Sequence, residues 1–275
     1  MQNISKEYLL QNKTIGFVPT MGALHEGHLS LVKTARQEND VTVVSIFVNP
    51  IQFAPSEDFE RYPRDIEGDT DKLQMANVNV LFMPEISSMY PGKHLTYVDV
   101  NEISERLCGV FRPGHFRGVA TVVTKLLNIV KPTKVYCGQK DFQQAVIIKH
   151  LIRDLNIDVD VIVCPTIREH DGLAMSSRNT YLTGGQRKAA AVIYKCLKEA
   201  SDLIKSGIID GLHIKKFMHE RILQIDEISS VDYAGVYDPE TLVDVSEIKG
   251  DILLAIALNI GHTRLIDNML VRMVT

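Results

Sequence analysis

The sequence predicts an α/β protein, a parallel sheet with helices on both faces, followed by a smaller α+β domain. Three observations predict it. Strand-like apolar runs alternate with amphipathic helical stretches through residue 165, polar loops follow the strands, and beyond about Thr180 two helices precede three apolar strands close in sequence. Parallel neighbours need crossover connections, which the alternating helices supply.

TIGFVP (14–19) reads as a buried strand, LSLVKTARQEN (29–39) as an amphipathic helix and VTVVSIFVNP (41–50) as a β-branched strand. DIEGDTDKLQMANV (65–78) has helical periodicity before VNVLFMP (78–84) returns to strand. GVATVVTKLLNIV (118–130) is a helix, KVYCG (134–138) a short strand, FQQAVIIKHLIRDL (142–155) a helix and VDVIVCP (159–165) a strand. In the second domain, GQRKAAAVIYKCLKEASDLIK (185–205) reads as one strong helix and LHIKKFMHERILQI (212–225) as another. VDYAGVYD, DILLAIALNI and TRLIDNMLV follow as strands. The domains are expected to divide as 1–176 and 177–275, within the polar loop Met175–Asn179.

Composition excludes several classes. The 275 residues are 45% hydrophobic and 23% charged, with a net charge of -4. No Lys/Arg block follows a nucleic-acid backbone or an anionic membrane, so neither is an expected partner. Cys108, Cys137, Cys164 and Cys196 form no CxxC pair and are expected to be buried thiols. MQNISKEYLLQNK carries charges that argue against a signal peptide, and ILLAIALNI is too short to span a bilayer. The expectation is a cytoplasmic protein.

Ligands of open parallel sheets bind beyond the carboxyl ends of the strands. MGALHEGH (21–28) lies at such an end. His25 and His28 are poor zinc ligands, because the helical zinc motif needs i,i+4 spacing and no third ligand is near. Gly22 in the turn and Gly27 at the mouth of a helix instead suit a phosphate, to which both imidazoles can donate. GQKD (138–141) follows another strand and offers Lys140, while MSSRN (175–179) offers two hydroxyls and the donor fork of Arg178. Together the clusters indicate a nucleotide site.

MGALHEGH resembles the HIGH signature of the adenylyl-transferring superfamily that includes class I aminoacyl-tRNA synthetases, and MSSR its shortened KMSKS element. VNPIQF followed by EDFERYPRD, then RPGHFRGVATVV, GQKDFQQ and DGLAMSSRN, occur in an order similar to that of the pantoate-β-alanine ligases. That resemblance covers essentially the whole chain. It implies a Rossmann-like nucleotide domain, a smaller lid domain and a homodimer. It also implies ATP-dependent ligation of pantoate and β-alanine through a pantoyl adenylate, with magnesium accompanying ATP and no protein ligand for it nameable.

By the same resemblance, Met21, Gly22, Ala23, Leu24, His25, Glu26, Gly27 and His28 line ATP, with His28 the usual proton donor. Gly138, Gln139, Lys140, Asp141, Ile167, Met175, Ser176, Ser177 and Arg178 complete the ATP site. His25, His28, Lys140 and Arg178 carry the catalysis. Gln52 and Gln144 hold pantoate, Gln52 also lying beside β-alanine. Gln139 stands where the family's commoner form has Glu. A carboxylate nucleophile is already ionised at neutral pH, so adenylation needs charge stabilisation and no general base. The β-alanine amine must lose a proton, to an acceptor the residues leave open.

Other positions carry less. His94, His150, His170, His213, His219 and His262 are expected to be surface or structural, and His115 has no assigned role. Arg112 and Arg117 are open between anionic ligands and a dimer partner. A nucleotidylyltransferase acting on a phosphate-bearing acceptor is the alternative within the superfamily, and product mass separates the two. A non-catalytic nucleotide-binding regulator is the alternative outside it, recognised by ATP binding without turnover.

Overall fold

A computed structural model describes residues 1–55 and 57–273. Two compact units are present: the first comprises Met1–Glu105, Arg112–Gln139 and Gln144–Pro165, and the second runs from Thr166 onward with Arg106–Phe111 and Lys140–Gln143. The expected division at 176/177 is therefore displaced to Pro165/Thr166. Ion pairing of Arg168 to Asp267 and burial of Leu173 in the second unit's core hold 166–176 to that unit.

The first unit contains α1 (Gln2–Leu10), β1 (Ile15–Thr20), α2 (Glu26–Glu38), β2 (Val41–Ile46), α3 (Ile66–Met75), β3 (Val80–Phe82) and α4 (Ile86–Met89). After α5 (Cys108–Phe111), which groups with the second unit, come α6 (His115–Val130), β4 (Lys134–Gly138), α7 (Phe142–Asp154) and β5 (Asp160–Cys164). The five strands form one parallel sheet in the order β3-β2-β1-β4-β5. Its order reverses between β1 and β4, so the crevice of this sheet opens at their carboxyl ends.

Local chemistry fixes the helix ends. Asp65 caps α3 by accepting the Gly68 N–H at 3.0 Å, and Glu67 and Asp69 in the first turn suit the helix dipole. Lys131, at φ +49°, ends α6 just before Pro132. α6 buries Phe116, Val119, Ala120, Val122, Val123, Leu126, Leu127 and Val130. Each large apolar side chain so buried contributes about 1.5–3 kcal/mol.

Several elements differ from expectation. α1 was not anticipated; only Ser5 on it is buried, so it carries no strong apolar stripe. β3 shortens to three residues, because it is an edge strand paired to β2 alone. β2 stops at Ile46, before the turn Pro50–Gln52. The expected single helix 185–205 is α8 (Gly184–Ala190) and α9 (Val192–Lys205), interrupted where the Ala191 N–H bonds to Lys188 O at 3.4 Å, a tighter i→i-3 turn. The alanine-rich sequence has no breaker to announce that interruption.

In the second unit, α9 and α10 (Gly211–Ile222) accompany an antiparallel sheet of β6 (Ile228–Tyr237), β7 (Ile252–Ile260) and β8 (Thr263–Val271), with β7 central. α9 buries Ile193, Leu197, Ala200 and Ile204, and α10 buries Ile214, Met218 and Ile222, against a core that includes Leu254, Ile256 and Leu258. All four cysteines are buried, and none forms a disulfide. Among the described residues, no helix is long and apolar enough to cross a membrane.

Candidate active site

The loop leaving β1 is tightly held within the first unit. Thr20 Oγ1 accepts the Gly22 N–H at 3.2 Å and donates to Ser45 O at 2.7 Å. Gly22 and Ala23 both have positive φ, +82° and +50°. A side chain at position 22 would also press against Asp69 and Ile46 at 3.1 Å. Asp69, 1% exposed, lies under the loop and accepts the Ala23 and Leu24 N–H groups, both at 2.7 Å. Lys72, one helical turn on, donates to Leu24 O at 2.9 Å and lies 3.7 Å from Asp69. These charge-assisted bonds offset the roughly 1–2 kcal/mol that a left-handed alanine costs.

α2 then starts with its two histidines locked in a reciprocal cap. His25 is the N-cap; its Nδ1 accepts the Gly27 N–H at 3.1 Å, and His28 Nδ1 accepts the His25 N–H at 3.3 Å. Backbone N–H groups can only donate, so both Nδ1 atoms are acceptors and each ring carries its hydrogen on Nε2. The rings lie 4.1 Å apart. Two N–H donors therefore stand at a helix N-terminus, an arrangement that stabilises anionic oxygens.

Gln52 is 7% exposed, in the turn after β2. Its Nε2 lies 3.2 Å from Met21 Sδ, which joins the expected acid and ATP positions. Asn49, 1% exposed, donates to Gln52 Oε1 at 3.0 Å. The Gln52 carbonyl accepts from His115 Nδ1 at 2.8 Å, and Arg112 donates to His115 Nε2 at 3.0 Å. Arg112 also grips Glu57 through two bonds of 2.6 and 2.7 Å. Burial would raise the Glu57 carboxyl, but Arg112 outweighs it and holds the pKa below the usual range. His115 and Arg112 thus support the Gln52 turn, while Arg117 lies 3.3 Å from Asp99 and stacks on Tyr97. Gly138 ends β4, Gln139 opens the following 3-10 turn, and Gln144 is half-buried on the first turn of α7.

The second unit gathers the remaining expected residues around β8. Arg168 binds Asp267 with bonds of 2.5 and 3.1 Å, and Asp267 accepts the Asn268 N–H at 2.8 Å. Asn268 in turn donates to Lys140 O at 2.9 Å, while Lys140 Nζ lies 3.5 Å from Asp141. Ile167 O accepts the Met175 N–H at 3.0 Å, and Arg168 bridges to Ala174. Ser176 Oγ caps the turn Ser177–Tyr181 by accepting the Arg178 N–H at 3.3 Å, which uses one of the hydroxyl's two lone pairs and leaves its hydrogen as a donor. Arg187 braces the loop through Glu169 and Asp171, and holds the Asp171 carboxyl down to about 2.

Residues 1–270 match the family described as Pantoate-beta-alanine ligase. The chain belongs to that family. The pantothenate synthetase of Thermodesulfovibrio yellowstonii is 57% identical over 271 residues, covering 98% of this chain and 96% of the relative. That of Acetivibrio thermocellus is 55% identical over 259 residues, covering 94% and 92%. The crystal structure of pantothenate synthetase from Thermus thermophilus superposes with a TM-score of 0.92 at 43% identity, covering 94% of each chain. The pantoate-beta-alanine ligase of Francisella tularensis, complexed with beta-gamma ATP and beta-alanine, gives 0.78 at 39% identity, covering 98% of this chain and 94% of its own.

A pantoate-β-alanine ligase is an amide-forming enzyme, and the sequence reading reached that class. It missed the residues that hold its expected site in shape: Asp69 and Lys72 under the loop, Asn49 beside Gln52, and Arg168, Asp267 and Asn268 behind Lys140. Asn49 lies within VNPIQF, where an amide shortly past a strand was the available signal. Among the described residues, no group of three or more His, Cys, Asp or Glu is placed to hold a metal ion. The Nδ1 atoms of His25 and His28 are, moreover, taken by the helix cap.

Proposed function

We propose that the chain joins pantoate and β-alanine through a pantoyl adenylate. A pantoate carboxylate oxygen attacks the α-phosphorus of ATP, the bond to the β-phosphate oxygen breaks, and pyrophosphate leaves. The amine of β-alanine then attacks the acyl carbon and AMP departs. Nitrogen gives up two protons in passing from ammonium to amide.

The reciprocal cap of His25 and His28 carries this reading, because it leaves the N–H of each ring on Nε2, at a helix N-terminus. Met21, Gly22, Ala23, Leu24, His25, Glu26, Gly27 and His28 line ATP, with Gly138 and Gln139. Lys140, Asp141, Ile167, Met175, Ser176, Ser177 and Arg178 complete that set. His25, His28, Lys140 and Arg178 stabilise the negative charge at phosphorus and on the leaving pyrophosphate, and His28 gives the phosphates a hydrogen bond from its Nε2–H. Gln52 and Gln144 hold pantoate without the repulsion a carboxylate side chain would bring, and Gln52 also faces β-alanine. Magnesium would accompany the phosphates of ATP and supply neutralisation of their charge, a role that calls for few protein ligands. A cytoplasmic homodimer accompanies the reading, and sedimentation of the purified chain tests the dimer.

The deciding experiment is pyrophosphate exchange into ATP with magnesium, with and without pantoate and without β-alanine. Exchange that requires pantoate is expected. A chain that binds ATP yet exchanges nothing would exclude the adenylate route.

A further inference from the structure

Gln52 ends a chain of hydrogen bonds whose direction is set by groups with no choice. The Gly118 carbonyl can only accept, and the Asn49 amide faces it at 3.1 Å, so the atom there is Nδ2. Asn49 Oδ1 therefore faces Tyr90, whose hydroxyl donates to it at 2.7 Å. The second N–H of Asn49 reaches Gln52 at 3.0 Å, so the atom it meets is Oε1. What remains to Gln52 is Nε2. One of its hydrogens points to Met21 Sδ at 3.2 Å, a weak acceptor, and the other stays available to a ligand.

Two features maintain this chain. At Gly118 a side chain would meet Ile51 O at 2.5 Å and Gln52 Cα at 2.6 Å, so only glycine lets α6 approach the turn closely enough. Tyr90 is half-buried, with its ring 6.2 Å from Phe47 and 4.9 Å from His94, and Lys125 over its face at 5.4 Å. Burial, and then the neighbouring Tyr97, push its hydroxyl above the ordinary phenol range. It stays protonated, as a donor must.

We infer that Tyr90, acting through Asn49, is a positioning residue that makes Gln52 offer an N–H to the acid substrate. The inference rests on the placing of pantoate at Gln52. An oxygen-bearing acid accepts hydrogen bonds at its carboxylate and hydroxyls. A reversed Gln52 amide would set one oxygen against another, so the relay favours the acid through polarity as well as shape.

The test is pyrophosphate exchange by the full chain, comparing wild type with Tyr90→Phe and Asn49→Asp, and varying pantoate and ATP separately. Tyr90→Phe keeps the ring and removes only the donor. Its pantoate KM is expected to rise about five- to tenfold, the effect of one hydrogen bond, with the ATP KM unchanged. Asn49→Asp still accepts from Tyr90 but cannot donate to Gly118 O or Gln52 Oε1. It is expected to raise the pantoate KM further, again sparing ATP. A wild-type pantoate KM in folded Tyr90→Phe, or equal rises for both substrates, overturns the relay. Absence of pantoate-dependent exchange in the wild-type chain overturns the placing of pantoate itself, and the relay with it.

Discussion

Asp69 holds Ala23 in the left-handed region of backbone space: its Oδ2 accepts the Ala23 N–H at 2.7 Å while Ala23 keeps φ +50°. Its other oxygen accepts from Leu24, so a single carboxylate shapes the loop ahead of both histidines. In Asp69→Asn one acceptor becomes a donor facing an N–H. The expected result is a rise in ATP KM of about tenfold or more, the scale of losing a hydrogen bond to a charged group, with a smaller change for pantoate. Unaltered ATP affinity in a folded variant would separate the loop's shape from nucleotide binding.

Lys140→Ala and Arg178→Ala each remove a donor assigned to the phosphates. The exchange rate is expected to fall by about 10² or more in each, with circular dichroism unchanged. Near-normal rates would take the altered residue out of the chemistry.

Gln144→Ala is expected to weaken pantoate binding more than ATP binding, because an amide that both donates and accepts suits a hydroxy acid. Titration of each substrate separately measures the split. Equal weakening would contradict the assignment.

Acid titration of the loop 169–179 has a defined sign. Arg187 donates to Asp171 and lowers its carboxyl from 3.8 to about 2 in the folded chain. A lowered carboxyl stabilises the fold above the unfolded value, and that contribution disappears as the pH falls from about 4 to about 2. Asp171→Asn should therefore melt below wild type near neutral pH, and the gap should close on acidification through that window. A gap that widens instead would show that the ion pair does not stabilise the loop.

Much of the fold was legible because periodicity is a local property. The alternation from TIGFVP to VDVIVCP predicted the parallel sheet, since β-branched runs and amphipathic stretches each bury one recognisable pattern. The break at Ala191 and the short β3 were not legible. The first lacks a breaker residue, and the second follows from an edge position that no strand pattern encodes. In the candidate site, Gly27 was legible at the mouth of a helix, but the capping role of His25 and the tautomers of His25 and His28 required the two cap bonds.

By itself, then, the sequence determined the sheet and the family, and named the residue types expected to meet anions, all of which depend on neighbours a few positions apart. Only the tertiary structure decided how those residues are held. Asp69 meets Ala23 across 46 positions, Asn49 meets Gly118 across 69, and Asn268 meets Lys140 across 128. A hydrogen bond has reach and direction but no sequence period, so such pairs emerge only when packed helices and strands bring their donors and acceptors to about 3 Å.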